Sequence, residues 1–250
     1  MKLASKTISI RALMPFVVLG LAVLLVPGGV FAQAQTIARN DSAITPPNTS
    51  VDIEVLNNDT PGSGSLDRAG VTVITPPDYA LSLTYDGNGT FTYTPNADAE
   101  STEPDTFVYE VCDDTTLDPE DACDTATVSV YVGTQITTFN IIPKKLNVKK
   151  NGVIPVVIRS IEGFEVTEIV PESLRLEGVE PDRVHVGEKK ITLKFKAQDI
   201  VGPFRNDVVH GDEIVLHLTG RLINELDPLA EGPVIVGEDT VIIIKKGKQN

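Results

Sequence analysis

The stretch DTFVYEVCDDTTLDPEDACDTATVSVYV, residues 105–132, holds both cysteines of the chain between two alternating patterns. Apolar and polar residues alternate in DTFVYEV before Cys112, and they alternate again in TATVSVYV after Cys123. A period of two residues predicts half-buried β-strands. The acidic run between them contains Pro119 and no strand pattern, so the stretch predicts an antiparallel hairpin with the cysteines at its loop.

The two cysteines are open to three interpretations, namely a metal loop, a redox site or a cross-linked turn. A C-x-x-C redox motif is absent, and the histidines lie far away in the sequence, at positions 185, 210 and 217. We therefore predict a disulfide between Cys112 and Cys123. Closing a loop of this length stabilises the fold by about 3 kcal/mol in the chain-entropy model. The role of the seven acidic side chains in residues 110–124 stays open.

The N-terminal residues 1–34 predict a cleaved secretory signal peptide. Lys2, Lys6 and Arg11 precede an apolar run at residues 13–26, and small residues follow it. The run is shorter than the roughly 20 residues of a membrane-spanning helix, although an uncleaved anchor is the alternative. We expect an exported mature chain without a membrane span, either secreted or at the cell surface, with the periplasm as a further location. Such an oxidising compartment favours the disulfide.

Charge divides the chain into two parts. Residues 33–136 carry a net charge of −16, whereas residues 137–250 carry −1. This asymmetry predicts two domains, at residues 35–134 and 138–250, each long enough to bury its own core. An acidic chain also argues against nucleic acid and anionic membranes as partners, because both attract basic surfaces.

Both parts show strand patterns separated by turn signals and no clear helical period. In the first part, strands are predicted at residues 50–56, 70–75, 80–85 and 90–95, before the cysteine hairpin. In the second part, strands are predicted at residues 152–160, 173–179, 189–197, 213–222 and 239–246, with a short helical turn within 164–174. Short strands at this spacing predict an all-β fold of two consecutive antiparallel β-sandwiches.

Five segments of the first part occur in the order of a known family: ARNDSAIT, VDIEVLNNDT, DGNGTFTYTP, DTFVYEVCD and CDTATVSVYV. Together they make residues 37–132 resemble the bacterial Ig-like, cadherin-like tandem modules of secreted and surface proteins. The resemblance implies a β-sandwich that spaces or displays other domains, for example in adhesion. Some members of that family bind calcium, so the resemblance also implies a possible Ca²⁺ cofactor.

The residues that match the acidic motifs of the family are the candidate calcium ligands: Asn40, Asp41, Asn58, Asp59, Asp105 and Asp113. Ca²⁺ takes six to eight oxygen ligands, and residues at strand ends can meet at one pole of a sandwich. The alternative is that Asn-Asp pairs form turns by bonding to their own backbone. No EF-hand loop occurs in the sequence.

The second part resembles a different exported module, found in bacterial and archaeal surface proteins. The matching segments are residues 137–158, 163–178, 218–222 and 238–244. Relatives often carry an Asp-rich loop in the middle, where this chain has PDRVHVGEKKITLKF. The resemblance therefore implies a fold and a location, but no cation site in this part.

Catalytic motifs are absent from the sequence, including G-x-S-x-G, H-E-x-x-H and a glycine-rich phosphate loop. His217 alternates with leucines on a predicted strand, which places it on the surface face of a sheet, and His185 and His210 lie in short extended or turn segments. We predict a non-catalytic binding or structural protein with an extracellular protein or polysaccharide as partner. The alternative is an accessory domain or an enzyme that acts on an extracellular polymer.

Overall fold

The computed structural model describes residues 35–97, 99–114, 122–136, 139–147, 152–160, 165–202, 208–224, 226 and 231–245. Residues Gln33–Asn250 form one compact unit. The predicted signal peptide lies outside the described residues, as does most of the acidic loop between the cysteines. Within the part of the chain described, no helix has the length and apolarity needed to cross a membrane.

The first seven strands build two facing sheets. One sheet has the order β1-β7-β6-β3 and the other has the order β2-β5-β4. The strands are β1 Asp41–Thr45, β2 Val51–Glu54, β3 Thr72–Thr75, β4 Ala80–Tyr85, β5 Thr90–Pro95, β6 Asp105–Cys112 and β7 Cys123–Val132.

Alternation of side chains explains why these sheets face each other. In β6, Phe107, Tyr109 and Val111 are fully buried, while the residues between them are more exposed. Phe91 of β5 meets Phe107 across the sandwich, with ring centroids 5.2 Å apart in an edge-to-face arrangement. Aromatic pairs prefer this geometry. The core therefore follows directly from the period-two pattern of the sequence.

The remaining strands build a second pair of sheets. One sheet has the order β10-β16-β15-β12, with β8 also paired to β16, and the other has the order β13-β14-β11-β9. The strands are β8 Thr134–Gln135, β9 Phe139–Ile141, β10 Lys145–Asn147, β11 Val153–Arg159, β12 Ile169–Leu176, β13 Arg183–Val186, β14 Lys190–Lys196, β15 Glu213–Leu222 and β16 Val234–Ile244. One short helix, α1, spans Ala197–Val201.

Two separate hydrophobic clusters fill the two pairs of sheets. The first cluster draws its buried members from Ile53 to Val132, and the second from Ile136 to Ile243. The all-β fold class is confirmed. The domain limits 35–134 and 138–250 stay a prediction. The first cluster ends at Val132 and the second begins at Ile136.

Three strand pairs differ from the expected antiparallel arrangement. Strand β1 pairs in parallel with β7, and both β10 and β8 pair in parallel with β16. Each pairing joins strands that are distant in the sequence. Alternation predicts which face of a strand is buried but carries no information on the direction of its neighbour.

Proline explains how the chain changes sheets after β1. Pro46 and Pro47 end the strand because proline has no backbone N–H to donate to a sheet. Asn48 follows with a φ of 58°, a left-handed conformation that asparagine tolerates. The Thr45 hydroxyl donates to the Thr49 carbonyl over 2.6 Å and closes this turn. The next strand, β2, consequently pairs with β5 in the opposite sheet.

Candidate functional site

Two of the six predicted ligands, Asp41 and Asp59, contact the hydroxyl group of Tyr109, and Asn58 connects Asp41 with the Asn40 carbonyl. The Tyr109 oxygen is 2.8 Å from Asp59 Oδ2, 3.3 Å from Asp41 Oδ2 and 2.9 Å from the Val55 carbonyl. Asn58 donates its side-chain amide to Asp41 Oδ1 over 3.0 Å. Asn40 accepts the backbone N–H of Thr127 over 2.9 Å. We call Asn40, Asp41, Asn58, Asp59 and Tyr109 the Tyr109 cluster.

The pKa values of both carboxyl groups in the Tyr109 cluster are raised in the folded chain. Burial and the nearby charge of Asp59 raise the pKa of Asp41 to about 7. Burial also raises the pKa of Asp59. One tyrosine hydroxyl has a single hydrogen and cannot donate to two carboxylates at once. The geometry therefore fits a pair of carboxyl groups in which a proton is retained on Asp41 well above the usual range of an aspartic acid.

Asp105 lies at the other end of the first sandwich. It begins β6, whereas Asp113 follows the end of that strand, so about 25 Å of extended chain separates them. Asp105 is buried and accepts the backbone N–H groups of Asp78 and Tyr79, each over 3.0 Å, and the Tyr93 hydroxyl over 2.6 Å. The expectation of one shared pole is therefore wrong for Asp105, because strand length carries it to the opposite end.

Asp113 is also buried and binds protein donors. Its Oδ2 atom accepts the backbone N–H of Ser63 over 2.8 Å and lies 3.4 Å from the Thr36 hydroxyl. These bonds tie the start of the described chain and the loop before β3 to the end of β6. Asp113 therefore anchors segments that are distant in the sequence, whereas the alternative interpretation expected Asn-Asp pairs to bond to their own backbone.

The carboxylates do not fit a calcium cage. Among the described residues, no group of three or more His, Cys, Asp or Glu side chains is placed to hold a metal ion. Asp41 Oδ1 accepts the Asn58 amide and Asp59 Oδ1 accepts the Arg39 backbone N–H at 2.7 Å. The Oδ2 atoms of both residues face the single hydrogen of the Tyr109 hydroxyl. Calcium needs six to eight oxygens directed at one point, and these oxygens are directed at protein hydrogens.

The predicted disulfide between Cys112 and Cys123 is confirmed. The two residues are direct partners in the antiparallel register of β6 and β7. Period-two alternation on both sides of the acidic run was the signal for this pairing. The disulfide closes the hairpin at the end of the sandwich that also holds Asp113.

A second concentration of functional groups lies where the two pairs of sheets meet. The Tyr131 ring of β7 stacks on the His217 ring of β15, with centroids 4.3 Å apart and planes inclined by 18°. Glu177 accepts the His217 backbone N–H over 2.6 Å, and its carboxylate is 3.3 Å from His217 Nδ1. Burial raises the pKa of Tyr131, and the charge of Glu177 adds to this effect. We call Tyr131, Glu177 and His217 the junction cluster.

The prediction that His217 lies on a solvent-facing sheet surface is wrong. The residue is only 4% exposed, because the first sandwich covers that face of β15. Among the described residues, His217 Nε2 and the Thr219 hydroxyl are buried without a hydrogen-bond partner. A period-two pattern identifies the two faces of a strand, but it does not reveal that a second domain covers the polar one.

Sequence reasoning missed Tyr109 and Tyr131 as the centres of these clusters. Both occur in β-strands of the cysteine hairpin, and Tyr109 is on the apolar face. A buried tyrosine needs a partner for its hydroxyl group. That rule could have indicated Tyr109 from the sequence, because its partners Asp41 and Asp59 were already candidate calcium ligands.

Comparison with known proteins finds one matching family model and a set of similar solved structures. Residues 33–131 match the family model of the bacterial Ig domain. No curated protein matches the chain. Similar solved structures include a protocadherin gammaB7 cis-dimer, at 12% identity and a TM-score of 0.26, which covers 84% of this chain and 46% of its own. The chain thus spans about half the length of that protocadherin.

Two further solved structures are also similar to this chain. The D00–D0 domain of intimin is 9% identical with a TM-score of 0.23, and the match covers 84% of this chain and 99% of intimin's. A SusE-like surface-located polysaccharide-binding protein of Bacteroides thetaiotaomicron is 8% identical with a TM-score of 0.26, covering 84% of this chain and 34% of its own. Residues 33–131 are thus similar to the bacterial Ig domain family, and the strands β1 to β7 in this part of the chain form a sandwich of two sheets.

Proposed function

We propose that this chain is an exported, non-catalytic module that acts as a stiff spacer or display element at or outside the cell surface. The observation that carries the proposal is the junction between the two pairs of sheets. Strand β7 ends at Val132, and β8 begins at Thr134 and pairs with β16 of the second pair. A single residue, Gly133, therefore separates a strand of one body from a strand of the other.

Packing at the junction supports stiffness. Tyr131, Val234 and Val236 form a small buried cluster of their own, against which Ile44 packs. Position 133 has no room for a side chain, because a Cβ atom there would lie 2.9 Å from the Val234 carbonyl oxygen. Glu100 also accepts the Val234 backbone N–H over 2.6 Å. Relative motion is the default for domains joined by longer and more polar linkers. A short connection with buried contacts restricts this motion.

The described histidines support a non-catalytic role. His217 lies under the Tyr131 ring, His210 Nδ1 accepts the Lys245 backbone N–H, and His185 sits on the exposed strand β13. Acid–base catalysis requires a group that can reach a substrate in a cleft. No observation favours the alternative of an enzyme that acts on an extracellular polymer.

Calcium stabilisation stays a prediction from the sequence. Support for it is limited to the nearness of Asp41 and Asp59, and the donors that surround them favour a shared proton. A calcium titration by calorimetry, with parallel melting curves at pH 8, tests the point. Saturable binding with a raised melting temperature would establish a site, and Asp41→Asn should then abolish it.

Small-angle X-ray scattering tests the spacer function. We expect the unit Gln33–Asn250 to give the scattering profile calculated from its structure. A matched variant with a flexible Gly-Ser insertion after Gly133 should give a broader distance distribution, because the insertion separates β7 from β8. A profile for the parent chain as broad as that of the insertion variant would contradict the proposal.

Fractionation of cells that produce the full chain tests export. We expect a processed protein that begins near residue 35 and occurs outside the cytoplasm. Recovery of the unprocessed chain in the membrane fraction would instead support the uncleaved anchor.

A further inference from the structure

One face of the second pair of sheets concentrates positive charge. In β14, Ile191, Leu193 and Phe195 are fully buried, so the alternate residues Lys190, Lys194 and Lys196 lie on the outer face and are exposed. The neighbouring strands add two exposed arginines, Arg159 of β11 and Arg183 of β13. We call these five residues the cationic face: Arg159, Arg183, Lys190, Lys194 and Lys196.

The strand register places like charges directly opposite each other on this face. Arg183 pairs with Lys194, and Arg159 pairs with Lys190. Side chains of directly paired residues lie on the same side of a sheet, and like charges in such positions are destabilising. Among the described residues, Asp182 forms an ion pair here, 3.3 Å from Lys196 Nζ. The other four cations lack such a partner within the described chain, so an anionic partner would relieve their repulsion.

The cationic face points away from the acidic part of its own chain. The first sandwich contacts the other sheet of the second pair, through His217 of β15 and Val234 and Val236 of β16. The hydrophobic core lies between that sheet and the sheet of β14. The described part of the acidic first sandwich therefore lies on the far side of the core from the cationic face.

We propose that the cationic face binds the acidic part, residues 33–136, of a second copy of this chain. That part carries a net charge of −16 and is present in the same amount as the cationic face. An external polyanion would gain the same attraction, so it is the competing occupant that the experiments below separate from a second copy. Two different surfaces meet in this contact, so each copy can bind one further copy at either end, which produces head-to-tail chains or closed rings.

This association goes beyond the spacer function and does not depend on it. Charged surfaces in water attract over about 10 Å at an ionic strength of 0.1 M, and more salt shortens this range. We therefore expect the unit Gln33–Asn250 to associate with increasing protein concentration in sedimentation velocity at about 20 mM NaCl and to be monomeric at about 300 mM. A monomer at both salt concentrations would overturn the proposal.

Charge reversal identifies the surface. The double variant Arg183→Glu and Lys194→Glu should be monomeric under the low-salt conditions. The matched control, Lys145→Glu and Lys245→Glu, makes the same change in net charge at the other sheet and should associate like the parent chain. Melting curves of both variants establish that they fold, and loss of association in both would show an effect of net charge alone, which overturns the proposal.

Zero-length cross-linking of a mixture of ¹⁴N and ¹⁵N chains identifies the partner surface. The expected products join Lys190, Lys194 or Lys196 of one isotope to carboxyl groups of residues 33–136 of the other. Cross-links confined to the second part of both chains would overturn the head-to-tail arrangement. Binding of dextran sulfate at the cationic face without self-association would also overturn it, and would identify an anionic polysaccharide as the ligand class.

Discussion

Two tyrosines of the first sandwich have the same arrangement: the ring is buried and the hydroxyl group lies within hydrogen-bond distance of a carboxyl group. Tyr93 donates to Asp105 at one end, and Tyr109 lies between Asp41 and Asp59 towards the other. Burial raises the pKa of both tyrosines, so both hydroxyls stay protonated and act as donors. The acidic residues that suggested a cation site are in large part the hydrogen-bond acceptors of this core.

Asp41 makes the stability of the chain depend on pH. Its pKa of about 7 in the folded state lies above the unfolded value of 3.8, so the folded state binds the extra proton between these values. The free energy of unfolding should therefore fall as pH rises from about 4 to about 7, and stay low above that range. Asp41→Asn should remove most of this slope and stabilise the chain at pH 8 by on the order of 2–4 kcal/mol.

Urea denaturation at pH 4.5 and pH 8 measures the effect of Asp41→Asn. The control is Asp52→Asn, which removes the same charge from an exposed position on β2 and should leave the slope unchanged. A pH profile for the Asp41 variant that runs parallel to that of the parent chain would show that Asp41 does not carry the retained proton.

Asp105 should be among the most sensitive polar residues of the first sandwich. Asp105→Ala leaves two backbone N–H groups and the Tyr93 hydroxyl without their acceptor, at a cost of about 2–4 kcal/mol. Urea denaturation at neutral pH measures this loss. The control Asp52→Ala removes an exposed carboxylate and should cost less than about 1 kcal/mol. Equal losses for the two variants would contradict the anchoring role of Asp105.

At the scale of elements, the β6–β7 hairpin is the part of the fold that local pattern describes best. Its strands are paired without a break from Asp105 opposite Val130 to Cys112 opposite Cys123. Alternation, turn composition and the two cysteines all indicate the same hairpin. Alternation also predicted strand β15 with its observed limits, Glu213 and Leu222. The short strands β8, β9 and β10 were missed, because two or three residues cannot display a period.

The disulfide should stabilise the hairpin through the unfolded state. Replacing both Cys112 and Cys123 by serine restores the freedom of the loop, so we expect a loss of about 2–3 kcal/mol. Thermal melting with and without reductant checks this value. Reductant should lower the melting temperature of the parent chain to that of the double variant and leave the variant unchanged. An effect of reductant on the variant would show that it acts elsewhere.

At the scale of the whole molecule, the junction cluster should couple the unfolding of the two cores. Tyr131 is 6% exposed and packs on both His217 and the strand β16. Tyr131→Ala should cost about 2–5 kcal/mol and separate one cooperative transition into two. Differential scanning calorimetry resolves the transitions. The control Tyr79→Ala removes a tyrosine that is 48% exposed and should keep the single transition.

The sequence by itself determined the β-strands, the cysteine hairpin, its disulfide and the division of charge, because each depends on residues close together in the chain. Only the tertiary structure decided which strands became neighbours, and thus that β1 runs parallel to β7. It also decided that His217 is buried and that the cations of β11, β13 and β14 share one face. These outcomes depend on contacts between distant segments, and the period of a single strand records which of its faces is apolar but not what covers the other.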